Sequence, residues 1–205
     1  MKKFIFLMAL SCIVMSGKSQ TCPDDKHPHA IDLGLPSGIK WACCNMGAKS
    51  PEDYGAYFAF GESQEKDVFE AKNYTNVNYQ YGEMFPRLDP STISWGETWH
   101  TPSPSQFDEL KTNCTSEWKT VKGVNGRLFT GKNGNSIFMP AAGKIIKLDN
   151  ASEGNLGQYW LNTEYRYGGT MDKAYYLFFS NTSVNSHYCL KCFGLSMRPV
   201  MKEIE

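Results

Sequence analysis

The stretch HYCLKC near the C-terminus places His187, Cys189 and Cys192 within six residues. Two thiols at this spacing can form a disulfide, bind a soft metal ion or perform redox chemistry. The sequence leaves three interpretations open. The pair forms a small disulfide that stiffens a loop tip between two late strands, stays as two unpaired thiols, or is a metal or catalytic site.

Other catalytic constellations are weak. The four histidines are spread along the chain, and no HExxH, GxSxG or phosphate-binding loop occurs. Asp108 and Glu109 are neighbours on a predicted helix surface, where such a charged pair is usually solvated. The loop 147–155 is rich in carboxylate and amide oxygens, but their spacing matches no known calcium loop. We therefore expect no catalytic residue, no metal ion and no cofactor.

His27 and His29 also bear on metal binding. They lie in the polar segment CPDDKHPHA, and no third ligand is close to them in sequence. We expect both imidazoles to be solvated and predict no metal site there.

Composition excludes one class of partner. The chain has 205 residues, and Lys+Arg and Asp+Glu each number 21, so the formal charge is zero. A protein that binds nucleic acid through phosphate contacts needs a basic surface, so nucleic acid is not an expected partner. The 11 Tyr, 12 Phe and 18 Gly favour a protein of strands and turns.

The first residues predict a secretory signal peptide. Two lysines precede an apolar run from Phe4 to Met15, which is too short to span a bilayer. Cleavage after Ser19 leaves a polar lead-in of residues 20–29 and one domain of residues 30–205. Lipidation at Cys12 is the alternative. We expect a secreted, periplasmic or cell-surface protein that does not span the membrane.

Export gives the cysteines a different meaning, because an oxidising compartment permits disulfides. Cys43 and Cys44 are adjacent and cannot comfortably pair with each other, so at least one is expected to be a small buried residue. Cys114 is predicted to face the core from a helix. It either pairs with Cys44 or is a buried thiol.

Two short helices are predicted in the first part of the chain. Ser103, Pro104 and Gln106 form a capping box with proline at the first helical position. Ser50 and Pro51 give a weaker start signal for a helix that ends at Gly55.

The remaining elements are predicted strands. Pro36-Ser37-Gly38 is a turn between two short strands, with Ile39 and Trp41 on one face. Asn125-Gly126 and Asn133-Gly134 predict hairpin turns. Three further strand candidates follow residue 157, and residues 61–89 form a long loop. The fold class is therefore α+β, with two short helices and a strand-rich C-terminal half.

The order of several motifs resembles a known family. The blocks DLGLPSGIKWACCNMGA, SPEDYGAYFAFGE, WHTPSPSQFDEL, NGNSIFMPAAG, YWLNTEY and GLSMRPV are similar to the secreted bacterial "major paralogous domain" (FISUMP) family over residues 30–200. The chain more distantly resembles formylglycine-generating enzymes and retroelement-diversified variable proteins. These resemblances imply a C-type-lectin-like fold, in which late strands and loops form a recognition surface.

The resemblance implies a non-catalytic function in adhesion or in binding a glycan or protein, and it leaves the oligomeric state open. Trp160 is expected to be packed, and Arg198 is expected to be structural, bonded to a buried carboxylate or to carbonyls. The expected ligand-binding residues lie on the late strands and loops: Tyr165, Arg166, Tyr167, Asn185, His187, Tyr188 and Lys191.

Two alternatives to a binding function stay open. The first is a copper oxidase like the formylglycine-generating enzymes, with Cys189 and Cys192 as the reactive thiols. This pair is closer together, and closer to the terminal strand, than the resemblance requires. The second alternative is a purely structural surface component.

Overall fold

The computed structural model describes residues 26–76, 82–167 and 171–202. The predicted signal peptide, most of the lead-in, Cys12 and Cys22 lie outside these ranges. Within them, no helix has both the length and the apolar content of a membrane span.

The described chain is mostly β-structure with few helices. The helices are α1 (Pro90–Trp95) and α2 (Pro104–Asn113), and short 3-10 turns occupy Ala71–Asn73 and Pro86–Leu88. The strands are β1 (Ala30–Asp32), β2 (Lys40–Ala42), β3 (Trp99–His100), β4 (Thr115–Val121), β5 (Val124–Thr130), β6 (Ser136–Pro140), β7 (Lys144–Ile146), β8 (Asp149–Ala151), β9 (Gly157–Tyr165), β10 (Lys173–Phe179), β11 (Val184–Leu190), β12 (Gly194–Leu195) and β13 (Val200–Met201).

The strands form small antiparallel sheets. Their orders are β1-β2-β13-β3, β4-β5-β6, β12-β7-β8 and β11-β10-β9. The first sheet joins the beginning of the domain to its end, because β13 pairs with both β2 and β3. The mixed, strand-rich fold class is therefore confirmed in this coarse form.

The sheet β11-β10-β9 is the layer between two apolar clusters. Side chains alternate between the faces of a strand, so Leu177 and Phe179 enter the cluster that contains α2. Tyr176 and Ala174 enter a second cluster with Trp160. Trp160 is fully buried, as predicted, and its indole N–H donates to the carbonyl of Phe58 at 2.7 Å.

Arg198 is buried and connects three segments that are distant in sequence. Its Nη1 donates to the carbonyls of Ala42 and Cys43 at 3.2 and 3.1 Å, and its Nη2 donates to the carbonyl of Phe138 at 3.0 Å. Its Nε donates to Oδ1 of Asn45 at 2.8 Å. The predicted structural role of Arg198 is confirmed, with carbonyls and an amide as the partners.

Two local signals act as predicted. Ser103 caps α2 in a capping box with Gln106, and Pro104 is the first helical residue. The amide of Gly38 donates to the carbonyl of Leu35, which closes the turn between β1 and β2. Cys114 is the C-cap residue of α2, and its partly buried side chain packs against the first cluster.

Two predicted elements are wrong. The segment that begins at Ser50 and Pro51 forms a turn, because Gly55 adopts a φ of 68° and the Asp53 carboxylate accepts its amide. The other error is Asn125-Gly126, which lies inside β5, while Lys122 and Gly123, both at positive φ, make the turn.

Gly126 is needed for close packing. A Cβ there would lie 2.4 Å from the carbonyl oxygen of Met139, so only glycine fits. The other predicted turn, at Asn133-Gly134, does connect β5 to β6, and Gly134 has a φ of 84°.

The segment HYCLKC is mainly strand. Residues 187–190 belong to β11, which pairs with β10 from Val184 to Leu190, so the predicted loop tip is wrong. The turn after β10 lies at residues 180–183 instead. Successive side chains of residues 187–190 therefore lie on opposite faces of the sheet.

Replacing Arg198 by methionine tests its role. The change leaves three carbonyls and the Asn45 amide oxygen without their buried donor, so we expect the free energy of unfolding to fall by about 3–5 kcal/mol. Urea denaturation measures it. Arg87→Met, at an exposed arginine, is the control and should change stability by no more than about 0.5 kcal/mol. Equal stability of the two variants would contradict the proposed role.

Candidate recognition surface

The seven predicted ligand-binding residues do not share one surface. Residues directly opposite each other in an antiparallel pair lie on the same face, and Tyr188 is opposite Tyr175 whereas His187 is opposite Tyr176. Tyr188 and His187 therefore lie on opposite faces of the sheet. Asn185, opposite Phe178, lies on the face of His187.

One face carries a tyrosine cluster, formed by Tyr165, Tyr167, Tyr175 and Tyr188. The rings of Tyr165 and Tyr188 stack with centroids 3.7 Å apart and planes 17° apart. Tyr175 and Tyr167 lie 5.5 and 5.6 Å from the Tyr165 ring. Tyr167 is 72% exposed and Tyr188 is 46% exposed. These aromatic rings are thus available at the protein surface.

The backbone explains why these rings meet. Tyr165 is the last residue of β9, and an irregularity in the β9–β10 register between Ala174 and Tyr176 shifts the pairing at Tyr175. Tyr188 reaches the same face from β11. A hydrogen bond with Tyr188 raises the pKa of Tyr165, so the Tyr165 phenol stays protonated and neutral near neutral pH.

A cation lies beside this cluster. The ammonium of Lys173 is 5.6 Å from the Tyr188 ring centroid, within the range of a cation–π contact. The cluster therefore combines flat apolar rings, hydroxyl groups and a positive charge.

His187 and Asn185 occupy the other face of β11. The His187 ring meets Phe178 edge-on at 4.9 Å and lies 6.1 Å from Tyr176. Both residues are exposed, but they cannot contact the same small ligand as Tyr188, because the sheet lies between them.

Lys191 is interior, which corrects its predicted place on the surface. Its side chain is 2% exposed, and its ammonium forms an ion pair with the equally buried Glu164. The second oxygen of Glu164 accepts from Arg166 at 3.1 Å and from the Gly82 amide at 2.8 Å. Arg166 stays partly exposed, so it borders the surface, while Lys191 holds β11 and β9 together from inside.

Cys189 and Cys192 are both thiols in this structure, and the predicted disulfide between them stays a prediction. Cys189 packs against the second cluster, and burial raises its pKa to about 12. Burial also raises the pKa of Cys192. A raised pKa disfavours the thiolate, which is the form that attacks substrates and binds copper.

A small cleft lies beside Cys192. It has a volume of about 200 Å³ and is lined by Ala71, Tyr74, Met171, Asp172, Leu190, Lys191 and Cys192. Typical small-molecule pockets measure about 300–1,000 Å³, so this cleft is a poor candidate for the main binding site.

Sequence reasoning missed Tyr175, Lys173 and Glu164. Tyr175 could have been found by alternation along KAYYLFF, where every second residue faces the same side. Glu164 carries no such signal, since a carboxylate at the end of a strand is usually solvated.

Comparisons of the chain with family models, with curated proteins and with solved structures return no match.

The Glu164–Lys191 pair should contribute strongly to stability. Lys191→Met leaves a buried carboxylate without its ammonium, and we expect a loss of about 3–5 kcal/mol in the free energy of unfolding by urea. The double variant Lys191→Met/Glu164→Gln also removes the unpaired carboxylate charge, so it should recover part of the lost free energy of unfolding. Lys173→Met, on the neighbouring strand, is the control and should cost less than about 1 kcal/mol. A Lys191→Met protein as stable as the control would contradict this assignment.

The thiol at position 189 should resist alkylation. Its pKa of about 12, against a usual 9.0, lowers the thiolate fraction about a thousandfold near pH 8. Iodoacetamide should therefore label Cys189 at least about a thousandfold more slowly in the native chain than in the urea-unfolded chain, as peptide mass spectrometry measures. Rapid native labelling would contradict the buried thiol. A peptide mass lower by two hydrogens would instead reveal the disulfide predicted from sequence.

Proposed function

We propose that this chain is an exported, non-catalytic recognition domain that binds a glycan or a protein through the tyrosine cluster. The observation that carries the proposal is the exposed ring surface of Tyr167 and Tyr188, which both contact the ring of Tyr165, as does Tyr175. Exposed aromatic rings in contact with one another are uncommon on a surface that has no partner.

Tyrosine suits such a surface for physical reasons. Its ring offers a large contact area, it loses little conformational entropy on binding, and its hydroxyl group supplies a hydrogen bond. The flat ring accepts the apolar face of a sugar as readily as a protein side chain. Stacking on Tyr165 further restricts Tyr188 before any ligand arrives, which lowers the entropic cost of binding.

The proposed fold is a C-type-lectin-like domain. Support comes from the pairing of the first and last parts of the domain in one sheet and from the late strands that present the tyrosine cluster. The motif order that resembles the FISUMP family supports both this fold and export from the cell. The sequence-based site is revised to Tyr165, Arg166, Tyr167 and Tyr188, together with Tyr175 and Lys173.

The oxidase alternative has less support than recognition. It needs thiolates at Cys189 and Cys192, and burial opposes ionisation of both. A structural surface component remains the competing hypothesis, and the binding experiment below separates it from recognition.

Arrays of glycans and of extracellular proteins, probed with the chain from Gln20 onward, test the proposal. For a ligand found in this way, we expect Tyr188→Ala and Tyr167→Ala each to weaken binding by about 30-fold, the size of an interface hot spot. Tyr188→Phe retains the ring and should keep most of the affinity. Biolayer interferometry measures the dissociation constants.

Two control variants make the result specific. Leu148→Ala removes an equally exposed apolar side chain between β7 and β8, and His187→Ala changes the opposite face of β11. Both should bind as the wild type does. Wild-type affinity in a folded Tyr167→Ala/Tyr188→Ala variant would show that the tyrosine cluster is not the site, and failure to bind any member of either array would favour the structural alternative.

A further inference from the structure

The hairpin of β1 and β2 brings two histidines next to two cysteines. Ala30 pairs with Ala42, so the residues just before β1 lie beside those just after β2. The ladder continues beyond the strands, since the Cys43 amide donates to the His29 carbonyl at 2.9 Å. His27 and His29 thereby approach Cys43 and Cys44, although the two pairs are separated by the whole hairpin.

The donor atoms of these residues converge. Nδ1 of His27 lies 3.3 Å from Sγ of Cys43, and Nδ1 of His29 lies 3.6 Å from the same sulfur. One ligand atom each from His27, Cys43 and Cys44 falls within 4.8 Å of the others. His29 is not part of this group, so its ring, which meets the His27 ring edge-on with centroids 5.5 Å apart, must turn to bring a nitrogen to the fourth position.

These distances match a tetrahedral zinc site. Zinc binds thiolate sulfur at about 2.3 Å and imidazole nitrogen at about 2.0–2.1 Å, which places sulfur and nitrogen ligands about 3.6 Å apart at tetrahedral angles. The distance from Cys43 Sγ to His29 Nδ1, 3.6 Å, equals that value, and the distance to His27 Nδ1, 3.3 Å, is slightly shorter. Two thiolates and two imidazoles form a ligand set of structural zinc sites.

We propose that His27, Cys43 and Cys44 bind one Zn²⁺ ion, with His29 turning in as the fourth ligand, and that the ion ties the segment before β1 to the core. Zinc is favoured over Mg²⁺ or Ca²⁺ because those hard cations take oxygen ligands. It is favoured over Cu²⁺ because Cu²⁺ oxidises thiolates while it is reduced to Cu⁺, whereas Zn²⁺ has no redox chemistry.

The protein environment prepares Cys43 as a ligand. The His29 amide donates to Sγ of Cys43 at 3.2 Å, and Arg198 donates to the Cys43 carbonyl, which fixes its backbone. These contacts hold the Cys43 sulfur in place beside the two histidines before a metal arrives.

Burial distinguishes this cluster from a surface coincidence. Both cysteine side chains are fully buried, whereas both histidines are half-buried. The sulfurs are therefore protected from solvent, whereas the histidines reach it. With all four ligands bound, no position is left for a substrate, so the site stabilises the fold.

Metal titration of the chain from Gln20 onward tests the proposal. The protein is purified with a thiol-free reductant, stripped of metal with a chelator and titrated with Co²⁺ as a spectroscopic probe for zinc. We expect one Co²⁺ per chain, a sulfur-to-cobalt charge-transfer band, the visible absorption of a tetrahedral ion, and full displacement by one equivalent of Zn²⁺. Zn²⁺ should also raise the thermal unfolding midpoint.

Matched variants assign the ligands. His27→Ala/His29→Ala and Cys43→Ser should each weaken Zn²⁺ binding by more than about 100-fold, since loss of an outer-shell partner alone costs about 10–100-fold. His187→Ala and Cys114→Ser are the controls and should bind as the wild type does. If Cys43→Ser does not fold, the histidine variant, which changes only half-buried side chains, decides the question.

Three results would overturn the site. They are the absence of a charge-transfer band in the wild type, wild-type affinity in the folded histidine variant, and a disulfide that includes Cys43 or Cys44 in protein isolated from the periplasm without reductant. None of these results bears on the tyrosine cluster, which is on a different sheet.

Discussion

The buried guanidinium of Arg198 is the contact on which this fold depends most. Its planar donors reach the end of β2, the segment after it and the carbonyl of Phe138 in β6. A guanidinium is suited to this position because it offers several donors in a fixed plane and carries no acceptor that would need a partner. The same residue lies close to β13, which pairs with β2 and β3. One side chain thus connects the chain just before β13 to the end of β2 and to β6.

Elements with strong local signals could be predicted from sequence. The capping box at Ser103, the turn before Ile39 and the packed Trp160 all follow from short-range patterns, and all three are found. Asn125-Gly126 could not be assigned correctly, because the dipeptide that favours a turn is placed inside β5 by close packing against Met139. The helix predicted to begin at Ser50-Pro51 does not form, because a start signal needs more helical residues after it than Gly55 allows.

The proposed recognition surface was only partly accessible to sequence reasoning. The family resemblance identified Tyr165, Tyr167 and Tyr188 as candidates, but the face on which each ring lies depends on strand parity and on the irregular register beside Tyr175. A shift of one residue would exchange the positions of Tyr188 and His187. The cluster of His27 and Cys43 was invisible for a similar reason, since only the pairing of β1 with β2 brings these residues together.

The position of β11 at the edge of its sheet affects how this protein can change over generations. Residues 185–188 are exposed, so their side chains can vary without creating cavities. Lys191, just after the strand, is instead constrained by its buried ion pair with Glu164. β11 is therefore kept in the sheet by its backbone pairing with β10 rather than by its exposed side chains. The side chains displayed on this strand can therefore change from one descendant protein to another while the domain stays folded, so variation at these positions is separate from the maintenance of stability.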